Sequence, residues 1–189
     1  MPPTSPTQPV SPSSSPAFPA GTIRLVDYSI AHQLDFERLN RRWLEAYFII
    51  EPYDEKVLQH PDQYILAPGG AIVVAEFMPA DGTPTVVAGV VGMMPVTHHA
   101  ADGTPQPAVE MTKLAVDPAY QGLGIGRKLC EAILQKAQQA GYPAMELVSN
   151  RKLLPALKLY QSMGFVEVPV APEYLQKYER CDIMMLKTF

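Results

Sequence analysis

The chain has 189 residues, enough for one compact domain with a sizeable core, and its 47% hydrophobic and 18% charged content is that of an ordinary globular protein. No apolar run approaches the roughly 18 residues that a membrane span needs, and a net charge of -4 without any aromatic and basic repeat argues against nucleic-acid binding. Two cysteines, Cys130 and Cys181, are too few for a disulfide framework and lack the spacing of a metal site.

Met1 to Gly21 has no charged residue and holds seven of the 20 prolines, with Ser and Thr filling most of the rest. Such a stretch cannot bury enough apolar surface to offset its ordering entropy, so it reads as a disordered tail ahead of a single domain over residues 22–189. It has neither the basic start and apolar core of a signal peptide nor the arginines of a mitochondrial address, which predicts a cytoplasmic protein. Thr22 to Tyr28 alternates Ile23, Leu25 and Tyr28 with polar residues, as a half-buried first strand would. From Ile30 to Tyr47, Leu34, Phe36, Leu39, Trp43, Leu44 and Tyr47 recur at three- and four-residue spacing, with Phe48 just beyond, which predicts an amphipathic helix. A shorter helix follows over Asp54 to Gln59. This pair carries Glu45, Glu51, Asp54 and Glu55 beside Trp43, Tyr47 and Tyr53. Carboxylates among aromatics suit a cationic amine, and Glu51 and Asp54 are the candidate substrate-binding residues.

Ala71 to Phe77 and Thr85 to Met94 predict a hairpin turned by Asp81-Gly82. His98 and His99 lie at a strand-to-loop exit, where paired histidines are commonly solvated. Ala100 to Pro107 reads as a polar loop, and Ala108 to Val116 as a buried strand broken by Asp117-Pro118. Then comes the run Gln121-Gly122-Leu123-Gly124-Ile125-Gly126, followed by a helical pattern from Arg127 to Ala140 that Gly141 ends. Ala144 to Ser149 predicts a strand and Leu153 to Met163 a helix stopped by Gly164. Phe165 to Val168 begins a hairpin closed by Ile183 to Leu186. The sum is an α/β (α+β) fold, a mixed and strongly twisted sheet of about six to seven strands with helices on both faces.

A strand, a glycine-rich turn and a helix together make an anion site: N–H groups of the first helical turn have no internal partner, and glycine lets phosphate approach. The dinucleotide fingerprint GxGxxG fails because Arg127 stands where a third glycine is required, and the P-loop fails because no Gly-Lys-Ser/Thr triplet occurs. What fits is QxxGxG, met by Gln121, Gly124 and Gly126. This motif, the stretch LAVDPAYQGLGIGRKL around it and the later SNRKLLPALKLYQSMGF resemble the central motifs of the GCN5-related N-acetyltransferase (GNAT) family, closely over about 60 residues.

The resemblance implies transfer of an acetyl group from acetyl-CoA to a primary amine by direct attack in a ternary complex. The amine would belong to a small cationic molecule or to a peptide or protein lysine or N-terminus. The alternative is a noncatalytic acyl-CoA-binding sensor of the same fold. By the same resemblance, backbone groups of Leu114, Ala115 and Val116 pair with the pantetheine amides. Gln121, Gly122, Leu123, Gly124, Ile125, Gly126 and Arg127 cradle the pyrophosphate. Tyr160 is the general acid for the leaving sulfur. Glu110, four residues before Leu114 and so on the same strand face, is the candidate base. Many members carry an asparagine seven residues before the tyrosine; here that position is Leu153, and Asn150 is the nearest substitute for a cofactor contact. Relatives often pair through the C-terminal strands of the sheet, which gives a homodimer as the expected assembly.

Overall fold

A computed structural model describes residues 19–99 and 103–189. Most of the expected tail, residues 1–18, lies outside the described residues, as do residues 100–102 of the expected polar loop; Gly21 already opens the first strand, and the strand after the loop begins at Pro105, three residues earlier than expected.

The strands are β1 (Gly21–Asp27), β2 (Ala71–Pro79), β3 (Val86–His99), β4 (Pro105–Val116), β5 (Ala144–Ser149), β6 (Val166–Val168) and β7 (Ile183–Thr188). They form one sheet in the order β1-β2-β3-β4-β5-β7-β6, antiparallel except for β4 and β5. Parallel neighbours need a crossover, and the helix α3 (Ile125–Gln139) supplies it. The central strands β2, β3 and β4 carry unbroken buried runs because both faces of the sheet are covered.

One face packs against α3 and α4 (Leu154–Ser162). Val73, Val91, Val109, Met145 and Met185 meet Ile125, Leu129, Ile133 and Leu157 there. Gly89 makes this approach possible, because a Cβ at that position would lie 3.0 Å from both Ile125 and Leu129. The other face is shared. Helices α1 (Gln33–Tyr47) and α2 (Pro52–Gln59) cover β1 to β4 through Phe36, Leu39, Leu44, Val57 and Leu58. A short helix α5 (Pro172–Lys177) and Tyr178 cover β5 and β7.

Three details depart from the sequence expectations. Ile30–His32 is a separate 3-10 turn, and Leu34, two residues or about 200° around the helix from Phe36, points into solvent. The residues between β6 and β7 hold α5 rather than an open hairpin loop, because Tyr174 anchors a turn of helix in the core. The third departure is in β4. Val90 pairs with Ala115 but Gly92 pairs with Thr112, so β4 carries one extra residue there, and Lys113 takes the left-handed conformation at φ 54°. A one-residue insertion reverses side-chain parity. Leu114 therefore packs on the α3 side, whereas Ala115 lies on the α1 side; the even-spacing argument that put Glu110 and Leu114 on one face fails across this bulge.

Candidate active site

The site begins where the sheet comes apart. β4 and β5 pair only at Val109↔Met145 and Glu110↔Glu146, and beyond Glu110 the β4 edge has no neighbour in register. The strands diverge into a cleft of about 540 Å³, lined by Glu110 to Leu114 and Val116 on one side and Leu147 to Asn150 on the other. The bulge at Lys113 lies in the same stretch of β4 and leaves Lys113 and Leu114 outside its register with β3. Tyr160 lines the cleft from α4, and Trp43, Phe48, Tyr178 and Arg180 line it as well.

The glycine run lines the cleft too. Asp117 accepts a hydrogen bond from the Ala119 N–H at 3.0 Å, its own N–H donates to Ala88 O at 2.9 Å, and Arg38 and Arg42 from α1 hold its carboxylate. That anchor fixes where the turn leaves β4. Gly122 and Gly124 have φ of 86° and 73°, which an L side chain would resist, and Gly124 caps α3 without a side-chain bond. Among the described residues, the N–H groups of Gly122 through Arg127 find no acceptor, and the first main-chain bond of the helix runs from Lys128 to Gly124 O. Uncapped N–H groups at the positive end of a 15-residue helix form an anion cradle. Gln121, Gly122, Gly124, Ile125, Gly126 and Arg127 line the cleft; Leu123 instead packs against the core, and Ala115 is buried under α1. Arg127 donates to Ser162 Oγ at 2.8 Å.

Tyr160 is held on α4 against Phe165, with ring centroids 6.1 Å apart, and burial pushes its phenol above the ordinary value, so it stays protonated through the neutral range. Its hydroxyl has no hydrogen-bond partner among the described residues. Glu110 is 2% exposed and lines the same cleft. Burial raises its carboxyl above the usual range, against the pull of Lys177 and Lys113, while nearby Glu146 adds to the rise.

The acidic pair Glu51 and Asp54 is placed differently from the expectation of free carboxylates at the cleft. Asp54 is fully buried. Its oxygens accept from Lys113 Nζ at 2.7 Å and from both terminal nitrogens of Arg180 at 2.7 and 2.9 Å. Burial alone would raise its carboxyl; Lys113 and Arg180 more than reverse that and hold it below the usual range. Glu51 pairs with Arg180 at 3.1 Å and receives the N–H groups of Glu179 and Arg180. Neither lines the cleft. They fix Arg180, which stacks 4.6 Å from the Tyr178 ring centroid and does line it. Asn150 also lines the cleft, but its amide donates to Arg180 O at 2.7 Å and accepts from the Lys152 N–H, so both ends are committed within the chain. Lys113, Tyr178, Arg180, Glu146 and Tyr174 had no local motif to mark them.

A cleft between diverging parallel strands, lined by an uncapped glycine turn and by a buried carboxyl and phenol, belongs to the acyl-CoA-dependent acyltransferase class of folds. Residues 35–165 match the profile of the acetyltransferase (GNAT) family, and the chain belongs to that family. It is 40% identical over 70 residues to a mycothiol acetyltransferase of Thermomonospora curvata, covering 37% of this chain and 24% of that protein. It is 29% identical over 142 residues to human N-acetylaspartate synthetase, covering 72% of this chain and 43% of that one. The chain thus spans less than half the length of either relative. Among solved structures, a Salmonella typhimurium acetyltransferase with its cofactor acetyl-CoA superposes with a TM-score of 0.61 at 20% identity, over 88% of this chain and 94% of that one, a likeness of fold. No helix among the described residues is long and apolar enough to cross a membrane.

Proposed function

We propose that this protein transfers an acetyl group from acetyl-CoA to a primary amine. The observation that carries the reading is the joint occurrence, along one cleft, of an open strand edge, the uncapped turn at Gly122 to Arg127, and the buried pair Glu110 and Tyr160. The residues fit coenzyme A as a substrate. The cradle N–H groups and Arg127 meet a pyrophosphate, and the free edge of β4 at Leu114 to Val116 accepts a chain of amides as an added strand would. Bound there, acetyl-CoA supplies an activated thioester.

The chain's own residues do the rest. Glu110 takes the proton of the attacking amine, directly or through a water, and its raised pKa makes it a stronger base than an ordinary carboxylate. A backbone N–H on the open edge of β4 steadies the developing oxyanion. Tyr160 gives its proton to the departing sulfur. Glu51 and Asp54 act on the acceptor through Arg180, which they hold in place.

With those two carboxylates paired, Lys113 and Arg180 are the cations at the acceptor end, beside Trp43, Phe48 and Tyr178. This favours an amine that carries its own carboxylate, such as an amino acid or short peptide, over a polyamine. The name of the human relative points the same way. The test is release of CoA thiol from acetyl-CoA against polyamines, amino acids, aminoglycosides and lysine or N-terminal peptides, with calorimetric binding of acetyl-CoA alongside. Turnover with amino acids or peptides is expected. Turnover confined to polyamines overturns the acceptor class, and tight binding with no turnover on any class favours a noncatalytic sensor.

A further inference from the structure

Behind Glu110 lies a chain of polar groups that acetyl transfer as described leaves unused. Glu110 and Glu146 are partners in register across the parallel pair β4 and β5, so two carboxyl groups are buried side by side at 2% and 1% exposure. Neighbouring side chains on one face of a sheet start about 5 Å apart at their Cβ atoms, which is close for like charges in a dry setting. The surroundings treat the two unequally. Glu146 accepts from the Tyr174 hydroxyl at 2.6 Å through one oxygen and meets His98 Nδ1 at 2.8 Å through the other. Glu110 shares the Tyr174 hydroxyl with Glu146 as the donor that favours its ionised form, and of the two carboxyl groups Glu110 alone opens on the cleft. The imidazole of His98, near the exit of β3, is mostly covered, with 15% of its side chain exposed.

We propose that Glu146 and His98 are positioning residues that set the proton affinity of Glu110: Glu146, held beside it by Tyr174 and His98, raises it, and His98 limits how far. The inference rests on the reading of Glu110 as the base. The groups facing Glu110 are Lys113 on its own strand, Glu146 on β5, Tyr53 on α2, Tyr174 and Lys177 on α5, Tyr178 beyond α5, and Cys181 before β7. Two of these are cations that favour ionised Glu110, and Glu146 is the one carboxyl group among them and opposes it. Its removal has a definite sign. A donor to a carboxylate favours its charged form, so loss of His98 leaves the Glu146 charge less compensated and acts the opposite way.

The experiment is a pH titration of the full chain labelled with 13C at the glutamate carboxyl carbon, the Glu110 and Glu146 resonances being those lost in Glu110→Gln and Glu146→Gln. Glu146→Gln keeps shape and a partner for Tyr174, and it is expected to move the Glu110 midpoint down by about 1 pH unit or more. His98→Leu, at the margin of the sheet, is expected to move it up. A Glu110 midpoint unmoved by Glu146→Gln, or moved by both variants in the same direction, overturns the inference. The base assignment stands or falls separately. Glu110→Gln with an amine accepted in the CoA-release panel is expected to lose turnover, and full turnover in that variant removes the base whatever the titration reads.

Discussion

Replacing Asp54 by asparagine should be the most damaging near-isosteric change at the acceptor end of the cleft. Asp54 has no solvent exposure and neutralises two cations at once, Lys113 with a side chain 7% exposed and Arg180 at 18%. Removing one partner of a buried ion pair leaves an uncompensated charge, at about 3–5 kcal/mol. In a domain of this size each kcal/mol moves the melting temperature by about 2–4 °C, so a fall of about 6–20 °C is expected. Urea and thermal unfolding followed by circular dichroism would measure it. Adding Lys113→Met should recover part of the loss, because one stranded cation goes with it. The pH dependence has a fixed sign. The folded-state pKa of Asp54 lies below its unfolded value, so its contribution is complete above about pH 4 and disappears as pH falls through the lower folded value. Asp54→Asn should abolish that part of the acid sensitivity. A loss below about 1 kcal/mol, the size of an exposed pair, would refute the buried-cluster argument.

Tyr160→Phe should lower kcat by about 100-fold or more while leaving calorimetric affinity for acetyl-CoA within about twofold, since the hydroxyl acts at the sulfur late in the reaction; equal turnover would remove the acid role. Gly89→Ala should destabilise the domain by about 1–3 kcal/mol in urea, because the new methyl would stand 3.0 Å from Ile125 and Leu129 and 3.2 Å from Ala115 O. An unchanged midpoint would mean that α3 yields freely. The Cys130 thiol is fully buried and pushed up to about 12, chiefly by burial, so it should resist an aromatic disulfide reagent until the protein unfolds. Rapid labelling of Cys130 in the native protein would contradict that placement.

What the sequence determined by itself was whatever depends on neighbours along the chain. The cradle at Gln121 to Arg127 was legible because positive-φ glycines and an uncapped helix start are local features, and Tyr160 because its helix and the turn at Gly164 are local too. The succession of strands and helices along the chain, and a sheet with helices on both faces, followed from the same short-range patterns. Tertiary structure decided the rest. A bulge at Lys113 depends on how β4 meets β3, and it reversed the parity that spacing alone assigned to Leu114. Glu51 and Asp54 looked like free carboxylates until residues more than a hundred positions later brought Arg180 onto them. Likewise Glu146 meets Tyr174 across 28 residues and His98 across 48. A carboxylate's role is set by which charges and donors surround it once water is excluded, and those neighbours exist only after the chain has closed on itself.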